Sequence, residues 1–325
     1  EISACLVGSE MCIRDRFYLY SKMEEIVIML EIIRSFFTEM VNRQMLPEYF
    51  KYAFVINSLI CTLFIGTILG GIGTMVVTKR MAFFSEAVGH AALTGIAFGV
   101  MAGEPINAPY VMLFTYCIIF GLLINYTRNR TKMSTDTLIG IFLSISIALG
   151  GSLLIFVSAK ANSHMIENVM FGSILTVSDS DILILVITIT VLGIILIPLF
   201  NRMLLSSFNA NMATVKGVNV KLMEYIFTVT VTLVTVVSVK IIGAALVEAL
   251  LLIPAASAKN LSKSIRGFFF YSIFFSLLSC ILGVILPIHF NISIPSGGAI
   301  ILISSFIFFI TVVIKNINGK FNGSE

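Results

Sequence analysis

The stretch FFSEAVGHAALTGIAFG, residues 83–99, carries two ionisable side chains, Glu86 and His90, among residues that are otherwise apolar, small or hydroxylated. A carboxylate at the centre of a membrane helix costs about 2.5–3.5 kcal/mol, so such a residue faces a partner or a water-filled cavity. Spacing i, i+4 puts both side chains on one helix face, about 5–6 Å apart at Cβ and within reach of one divalent cation. The pair predicts a metal-transit site inside a membrane helix. A Glu–His hydrogen bond that fixes helix packing is the alternative.

The composition of the whole chain is that of a membrane protein. Of its 325 residues, 58% are hydrophobic and 12% are charged, whereas about 25% of a soluble domain is charged. Apolar runs of about 18 residues or more recur along the chain, and each can cross a hydrocarbon core as a helix. The sequence therefore predicts an all-α, polytopic transmembrane bundle of about eight to nine spans. The expected spans are about 52–78, 82–102, 109–127, 137–158, 181–200, 222–239, 241–258, 268–287 and 297–314.

The charges in the loops predict the orientation of these spans. Lysines and arginines concentrate in alternate loops, and the positive-inside rule assigns those loops and the C-terminus to the cytoplasm. The intervening loops, including the 159–180 segment, are then external. A very tight connection is expected at Lys240, and Pro198 and Pro254 should bend the spans that contain them. The basic loops carry Lys79, Arg80, Arg128, Arg130, Lys132, Arg202, Lys216, Lys221, Lys259, Lys263, Arg266, Lys315 and Lys320.

The N-terminal region differs in character from the rest of the chain. Residues 1–16, EISACLVGSEMCIRDR, match neither the amphipathic nor the apolar part, and we interpret them as a non-native string with Met23 as the expected start. Residues 17–48 combine charges with apolar residues at helical spacing, which predicts an amphipathic helix that lies at the membrane interface or packs on the bundle and does not span the membrane. The permease domain is expected over 49–316, followed by a cytoplasmic tail over 317–325.

Several motifs together resemble one family, the permease subunits of the metal-uptake ABC transporters (the zinc, manganese and iron importers). KRMAFFSEAVGHAALTGIAFG, residues 79–99, is similar to the family's second-helix signature. VKIIGAALVEALLLIPAASAKNLSKS, residues 239–264, is similar to its basic, glycine and I-P-A-A-x-A signature. FNANMATVKGVNVKLMEY (208–225) and IPSGGAIIL (294–302) match its cytoplasmic stretch and the start of its last helix. The resemblance extends from about residue 50 to 314.

This resemblance implies the large-bundle fold of ABC importers and a multi-pass location in the cytoplasmic membrane of a bacterium. It implies a homodimer with two cytoplasmic ATP-binding subunits and an external metal-binding protein, and no nucleic acid. Glu86 falls where the family usually has Asp, and His90 where it has His. Carboxylate oxygen and imidazole nitrogen suit zinc, manganese or iron(II) alike. The metal is then the transported substrate, with no permanently bound cofactor.

Glu248 is a third candidate metal ligand, because it lies in the middle of the apolar segment GAALVEALLLIP. It could instead pair with Lys240 or with a hydroxyl of a neighbouring helix. A short cytoplasmic helix before Gly217, with the glycine as a left-handed cap, is the candidate contact with the ATPase. An ordinary connecting loop is its alternative. The residues assigned to this coupling segment are Ala213, Val215, Lys216, Gly217 and Val218.

The remaining polar residues favour structural roles, and the motifs that are absent from the chain limit its function. His164 and Glu167 favour a solvated external loop or a re-entrant helix over a metal site, and His289 is external and isolated. Asp179 and Asp181 are typical of a helix N-terminus. The chain lacks the G-x-x-x-x-G-K-[ST] motif, so ATP hydrolysis is expected on a partner subunit. A proton-coupled secondary metal transporter and a permease for a metal chelate or siderophore are the alternative functions. A membrane enzyme fits less well, since H-E-x-x-H is absent.

Overall fold

The protein is helical throughout the part that the computed structural model describes, which comprises residues 28–104, 110–131, 133–158, 177–290, 292 and 294–322. Within that part, helix α1 covers 28–42 and a 3-10 turn covers Glu48–Lys51. The remaining helices are α2 (Ala53–Thr78), α3 (Phe84–Met101), α4 (Tyr110–Arg130), α5 (Thr135–Ser158), α6 (Asp179–Phe208), α7 (Ala210–Val215), α8 (Val220–Ile242), α9 (Ala244–Leu261), α10 (Ile265–His289) and α11 (Ser296–Asn322).

Eight of these helices are long and apolar enough to cross a membrane, and α6 adds a ninth if its two arms count as one span. The arms, Asp181–Leu196 and Pro198–Phe208, meet at an angle of 72°. Proline has no backbone N–H and its ring clashes with the preceding turn, which accounts for the bend. The bend predicted at Pro198 is therefore present. At Pro254, by contrast, α9 continues as one helix through the proline. Each predicted apolar span corresponds to one helix, which confirms the all-α polytopic fold.

The helix ends gather into two chemically different faces. At one end of the bundle, which we call the basic end, the end of α2 meets the first turns of α8. There the Lys79 ammonium lies over the Phe227 ring, 5.1 Å from its centroid. Arg128, at the end of α4, pairs there with Glu224 of α8 at 2.9 Å. At the opposite end, Lys240 of α8 pairs with Asp181 of α6 at 3.0 Å. The positive-inside rule assigns the basic end to the cytoplasm.

The connection between α8 and α9 is a single residue, Gly243, with φ 83° and ψ 157°. The expectation of a tight connection was right in kind but wrong in position, because Lys240 is still within α8. An L-residue with a side chain rarely adopts this positive φ, so the glycine ends one helix and starts the next. The hydrophobic pattern could not locate the break, since apolar residues continue on both sides of it.

Close packing on α2 fixes the position of α9 and α10. A Cβ built on Gly73 would lie 2.2 Å from the carbonyl oxygen of Leu251, so the backbones of α2 and α9 are in contact there. On α10, the Ser272 hydroxyl donates to the Gly70 carbonyl at 2.6 Å. Small residues permit such close approach where lipid supplies no hydrophobic drive for helix association. The helix α9 that carries Glu248 is therefore held by backbone contact.

Helix α1 is attached to the bundle at the end opposite the basic end. Leu30 is buried, while Ile32 and Phe36 are exposed. The Arg34 guanidinium forms an ion pair with Asp179 of α6 and donates to the Asn57 amide oxygen of α2 at 2.8 Å. Residues 1–16 and the first part of the predicted 17–48 helix lie outside the described residues, so the N-terminal domain assignment stays a prediction.

Candidate metal path and coupling helix

Glu86 and His90 lie on α3, which begins at Phe84. Both side chains are half-buried. Across the described parts of the chain, neither one makes a hydrogen bond or an ion pair. The alternative of a Glu–His hydrogen bond that fixes helix packing is therefore not realised, and both ligand atoms are available.

The start of α3 is recessed into the bundle from the basic end. A Cβ on Gly121 of α4 would lie 3.6 Å from the Phe84 ring, which sets the two residues at the same level. Arg128, which marks the basic end, is two turns farther along α4, or about 10 Å at 1.5 Å per residue. His90 lies nearly two further turns inside α3, about 9 Å deeper. The pair is therefore inside the thickness of the membrane and not at its surface.

Glu248 of α9 approaches the same region. A Cβ on Gly89 would lie 3.1 Å from the Cβ of Ala244, so α3 and α9 touch at that point. From this contact, Glu86 lies one turn back along α3 and Glu248 lies one turn forward along α9. Since both steps lead towards the basic end, Glu86 and Glu248 lie at about the same level of the bundle, on two helices that touch.

Glu248 does not pair with either of the alternative partners, Lys240 or a hydroxyl of a neighbouring helix, among the described residues. Lys240 pairs with Asp181 and lies over the Tyr110 ring, 4.0 Å from its centroid. Glu248 is half-buried and makes no hydrogen bond within the described chain. No group of three metal-binding side chains comes together among the described residues of one chain. A single chain thus offers separate carboxylate and imidazole ligands that do not form a closed cage.

The polar contacts of the opposite end were only partly foreseen. The prediction that Asp179 and Asp181 mark a helix start is confirmed: α6 begins there, with Ser178 and Asp181 forming a capping box. The ion pairs that Arg34 and Lys240 make with these aspartates were missed. The signal available in the sequence was Asn57, a polar amide in the first turns of an apolar helix. Its amide oxygen accepts from the Arg34 guanidinium, and its amide nitrogen donates to the Asp179 carboxylate at 3.2 Å.

The predicted coupling segment forms the short helix α7, Ala210–Val215. Asn209 caps its start by accepting from the Met212 N–H at 3.0 Å. At its end, Gly217 has φ 74°, and Val218 N–H donates to the Ala213 carbonyl at 2.9 Å. This is the hydrogen-bond pattern of a left-handed glycine cap, as the sequence predicts. Ala213 is buried, whereas Val215 is 89% exposed and presents an apolar side chain to the solvent at the basic end.

The remaining candidates do not join the site. His289 is the last residue of α10 and contacts the Tyr49 ring edge-on at 6.3 Å between centroids. His164 and Glu167 lie outside the described residues. Cys61, Cys117 and Cys280 are free and buried, which is typical of cysteines that serve packing.

Comparison with known proteins identifies the family. The model of the ABC 3 transport family matches residues 51–315, most of the chain. The chain belongs to the ABC 3 transport family. The manganese transport system membrane protein MntC of Listeria monocytogenes is 33% identical over 261 residues, covering 80% of this chain and 90% of that protein. The high-affinity zinc uptake system membrane protein ZnuB of Buchnera aphidicola is 30% identical over 247 residues, covering 75% and 92% respectively.

The fold of this ABC 3 permease also has a solved counterpart. PsaBC from Streptococcus pneumoniae, determined in complex with a Fab, superimposes with a TM-score of 0.69 at 27% identity, over 80% of this chain and 91% of that one. The resemblance drawn from the 79–99 and 239–264 motifs is thereby confirmed. The chain is a multi-pass membrane permease of the bacterial ABC transporter type. Helix α1 lies outside the region that the family model matches.

Proposed function

We propose that the chain is the membrane subunit through which an ATP-driven importer moves manganese or zinc into the cell, with Glu86 and His90 as the ligands on the path. The observation that carries this proposal is a half-buried carboxylate and imidazole one turn apart, with His90 about 20 Å inside the basic end. Neither side chain makes a hydrogen bond or an ion pair in the described chain. Ionisable groups in a membrane are costly unless they serve a pathway. Relatives named for manganese transport and zinc uptake support the choice of metals.

Glu248 is proposed as the third ligand of the path. The contact between α3 and α9 at Gly89 and Ala244 brings its carboxylate to about the level of Glu86, and a divalent cation would be attracted to both groups. Carboxylate and imidazole bind manganese, zinc and iron(II) with different preferences, so iron remains a substrate to be tested. Ligands that are not preassembled into a closed cage suit transient binding, which transport requires because the ion must leave.

A homodimer would complete the path. The less buried faces of α3 and α9 carry the three ligands, and an uncovered charged face cannot lie against lipid. Two copies facing each other would enclose the carboxylates and imidazoles in one central conduit. An external metal-binding protein would deliver the cation to one end of this conduit, and alternating access would release it at the basic end.

Helix α7 is proposed to couple this movement to ATP hydrolysis on two partner subunits, so that the permease itself is not an enzyme. Ala213 anchors α7 to the bundle, and the exposed Val215 offers an apolar contact to a cytoplasmic partner. The C-terminal arm of α6, beyond the bend at Pro198, leads directly into α7. A push on α7 would therefore act on a helix that is already bent within the membrane.

Uptake of radiolabelled manganese, zinc and iron in a bacterium lacking its own high-affinity importers tests the metal path. We expect His90→Ala and Glu86→Gln to abolish uptake at unchanged membrane levels, and Glu86→Asp to retain it because the shorter acid keeps the charge. His289→Ala is the matched control, since that histidine contacts the Tyr49 ring at the opposite end, and it should transport normally. Normal uptake by His90→Ala would remove the site assignment.

A second measurement separates ATP-driven import from the proton-coupled alternative. Vesicles containing the permease and its ATPase should take up metal when ATP is supplied inside and should not respond to a proton gradient alone. Deletion of Asn211–Gly217 should leave ATP hydrolysis active but no longer linked to uptake. Uptake driven only by the gradient would support a secondary transporter.

A further inference from the structure

A large apolar cavity lies between four helices, away from the metal path. It has a volume of about 360 Å³ and is bounded by α2, α6, α8 and α10. An apolar cavity of about 150 Å³ is already large enough to hold a benzene-sized ligand. We call this space the lipid-side cavity; the residues that define it here are Met75, Gly193, Leu196, Phe200, Phe227 and Phe269.

The lipid-side cavity lies in the half of the membrane nearest the basic end. Met75 is in the last turn of α2, and Phe269 is close to the start of α10. Phe227 is two turns into α8, which also starts at the basic end. By the positive-inside rule this half is the cytoplasmic leaflet. At the rim of the cavity the side chain of Thr67 is exposed, so the space is open to its surroundings.

The wall of the cavity has no side-chain hydrogen-bonding group left over for a water molecule. Its two hydroxyl groups are already used within their own helices: Thr67 donates to the Leu63 carbonyl at 2.7 Å and Thr230 to the Ile226 carbonyl at 2.8 Å. The other lining residues are apolar or glycine. A buried water needs two or more polar partners, whereas an apolar chain fills such a space without any. A ligand that matches this wall is therefore a hydrocarbon, and in a membrane the available hydrocarbon is an acyl chain.

Lys79 lies at the end of the cavity, and it makes no ion pair with any residue that the structure describes. Lys79 follows Met75 by one turn, and its ammonium lies 5.1 Å from the centroid of the Phe227 ring that lines the cavity. The nearby carboxylate of Glu224 is engaged by Arg128 at 2.9 Å. Two cations and one anion leave this cluster with a net positive charge. Burial is the main cause that lowers the pKa of Lys79, with Glu224 opposing the shift and Arg128 adding to it, as expected for a cation short of a partner.

We propose that the lipid-side cavity binds one acyl chain of an anionic phospholipid from the cytoplasmic leaflet, with the phosphate headgroup held at Lys79. The chain occupies the space between α6 and α2, where Leu196 and Phe200 flank the bend at Pro198. Because the C-terminal arm of α6 leads into α7, the bound chain supports that arm in its bent position. The lipid is thus a bound ligand that acts on the coupling end of the permease, separate from the metal ligands.

Native mass spectrometry of the purified full-length chain tests this site. After delipidation, the protein is titrated with dioleoyl phosphatidylglycerol and, in parallel, with dioleoyl phosphatidylcholine. We expect one tight phosphatidylglycerol site in the wild type, weakened about tenfold or more by Gly193→Leu, whose side chain fills the cavity. A Cβ on Gly193 meets nothing within 4 Å, so the variant should fold. Gly193→Ala should give a smaller loss in the same direction.

The controls separate the cavity from the headgroup. Gly140→Leu on α5 also adds a side chain where a Cβ meets nothing within 4 Å, but outside the cavity, and should bind lipid as the wild type does. Lys79→Gln should lower the preference for phosphatidylglycerol over phosphatidylcholine about fivefold, the contribution of one basic residue at an anionic surface. Equal lipid binding by Gly193→Leu and Gly140→Leu would overturn the cavity assignment. An unchanged preference in Lys79→Gln would overturn the headgroup assignment.

Discussion

Replacing Gly73 with alanine should destabilise the permease strongly, because this glycine sets the distance between α2 and α9. The added Cβ would lie 2.2 Å from the Leu251 carbonyl oxygen and 3.1 Å from the carbonyl carbon. Carbon–oxygen contacts in proteins are about 3.3–3.6 Å, so the helices must separate by about 1 Å. Overpacking of this kind costs about 1–3 kcal/mol. A gap of that size also forfeits a quarter to a half of each dispersion contact along the seam.

We expect Gly73→Ala to lower the free energy of unfolding by about 3 kcal/mol, since the obstructing oxygen belongs to the backbone and cannot rotate away. A chain of this size loses about 2 °C in thermal midpoint per kcal/mol, which predicts a fall of about 6 °C. The midpoint is measured by heating the detergent-solubilised protein and determining by size-exclusion chromatography how much of it remains folded at each temperature. Gly140→Ala is the matched control: its Cβ meets nothing within 4 Å, and alanine is the better helix former by about 1 kcal/mol.

Equal midpoints for Gly73→Ala and Gly140→Ala would refute the close contact between α2 and α9. A destabilised Gly73→Ala that still folds carries a second consequence. Because α9 holds Glu248, displacement of α9 by about 1 Å moves that carboxylate relative to Glu86. Metal uptake per folded molecule should then fall, whereas Gly140→Ala should transport as the wild type does.

Two further predictions concern the opposite end and the coupling helix. Arg34→Ala should lower the thermal midpoint by about 2 °C, because it removes the ion pair with Asp179 and the hydrogen bonds to Asn57. The carboxylate is 42% exposed, so solvent limits the loss in the free energy of unfolding to about 1 kcal/mol. Arg43→Ala is its control, since the Arg43–Glu39 pair is more than 60% exposed on both sides, and equal midpoints would contradict a role for α1 in holding the bundle. Gly217→Ala should cost about 1 kcal/mol, because φ is 74°. It should also lower the metal transported per ATP hydrolysed, and an unchanged ratio would contradict the coupling role of α7.

Much of the fold was predictable because membrane-spanning segments carry their signal locally. A run of apolar residues long enough to cross the bilayer can satisfy its backbone only as a helix, so each predicted span corresponds to one helix of the structure. Gly217 was predictable for a similar reason, since a glycine after a short helical segment is typical of a left-handed cap. The positions of Glu86 and His90 on one helix face also follow from spacing alone.

Other features depend on contacts between residues distant in sequence and could not be predicted. The break between α8 and α9 was expected at Lys240 and lies at Gly243, because apolar residues surround both positions and the hydropathy pattern does not distinguish them. Arg34 pairs with Asp179, 145 residues away, and no local pattern reports such a partner. The ion pair between Lys240 and Asp181 likewise depends on the packing of α8 against α6.

The sequence by itself determined that this chain is a helical membrane protein and that α3 carries an acid and an imidazole one turn apart, because composition and helical periodicity are properties of neighbouring residues. Only the tertiary structure decided that α3 starts deep inside the bundle, that Glu248 approaches Glu86, and that an apolar cavity ends at Lys79. These depend on where glycines such as Gly73 and Gly89 let backbones meet, and such contacts are fixed by packing across the whole chain.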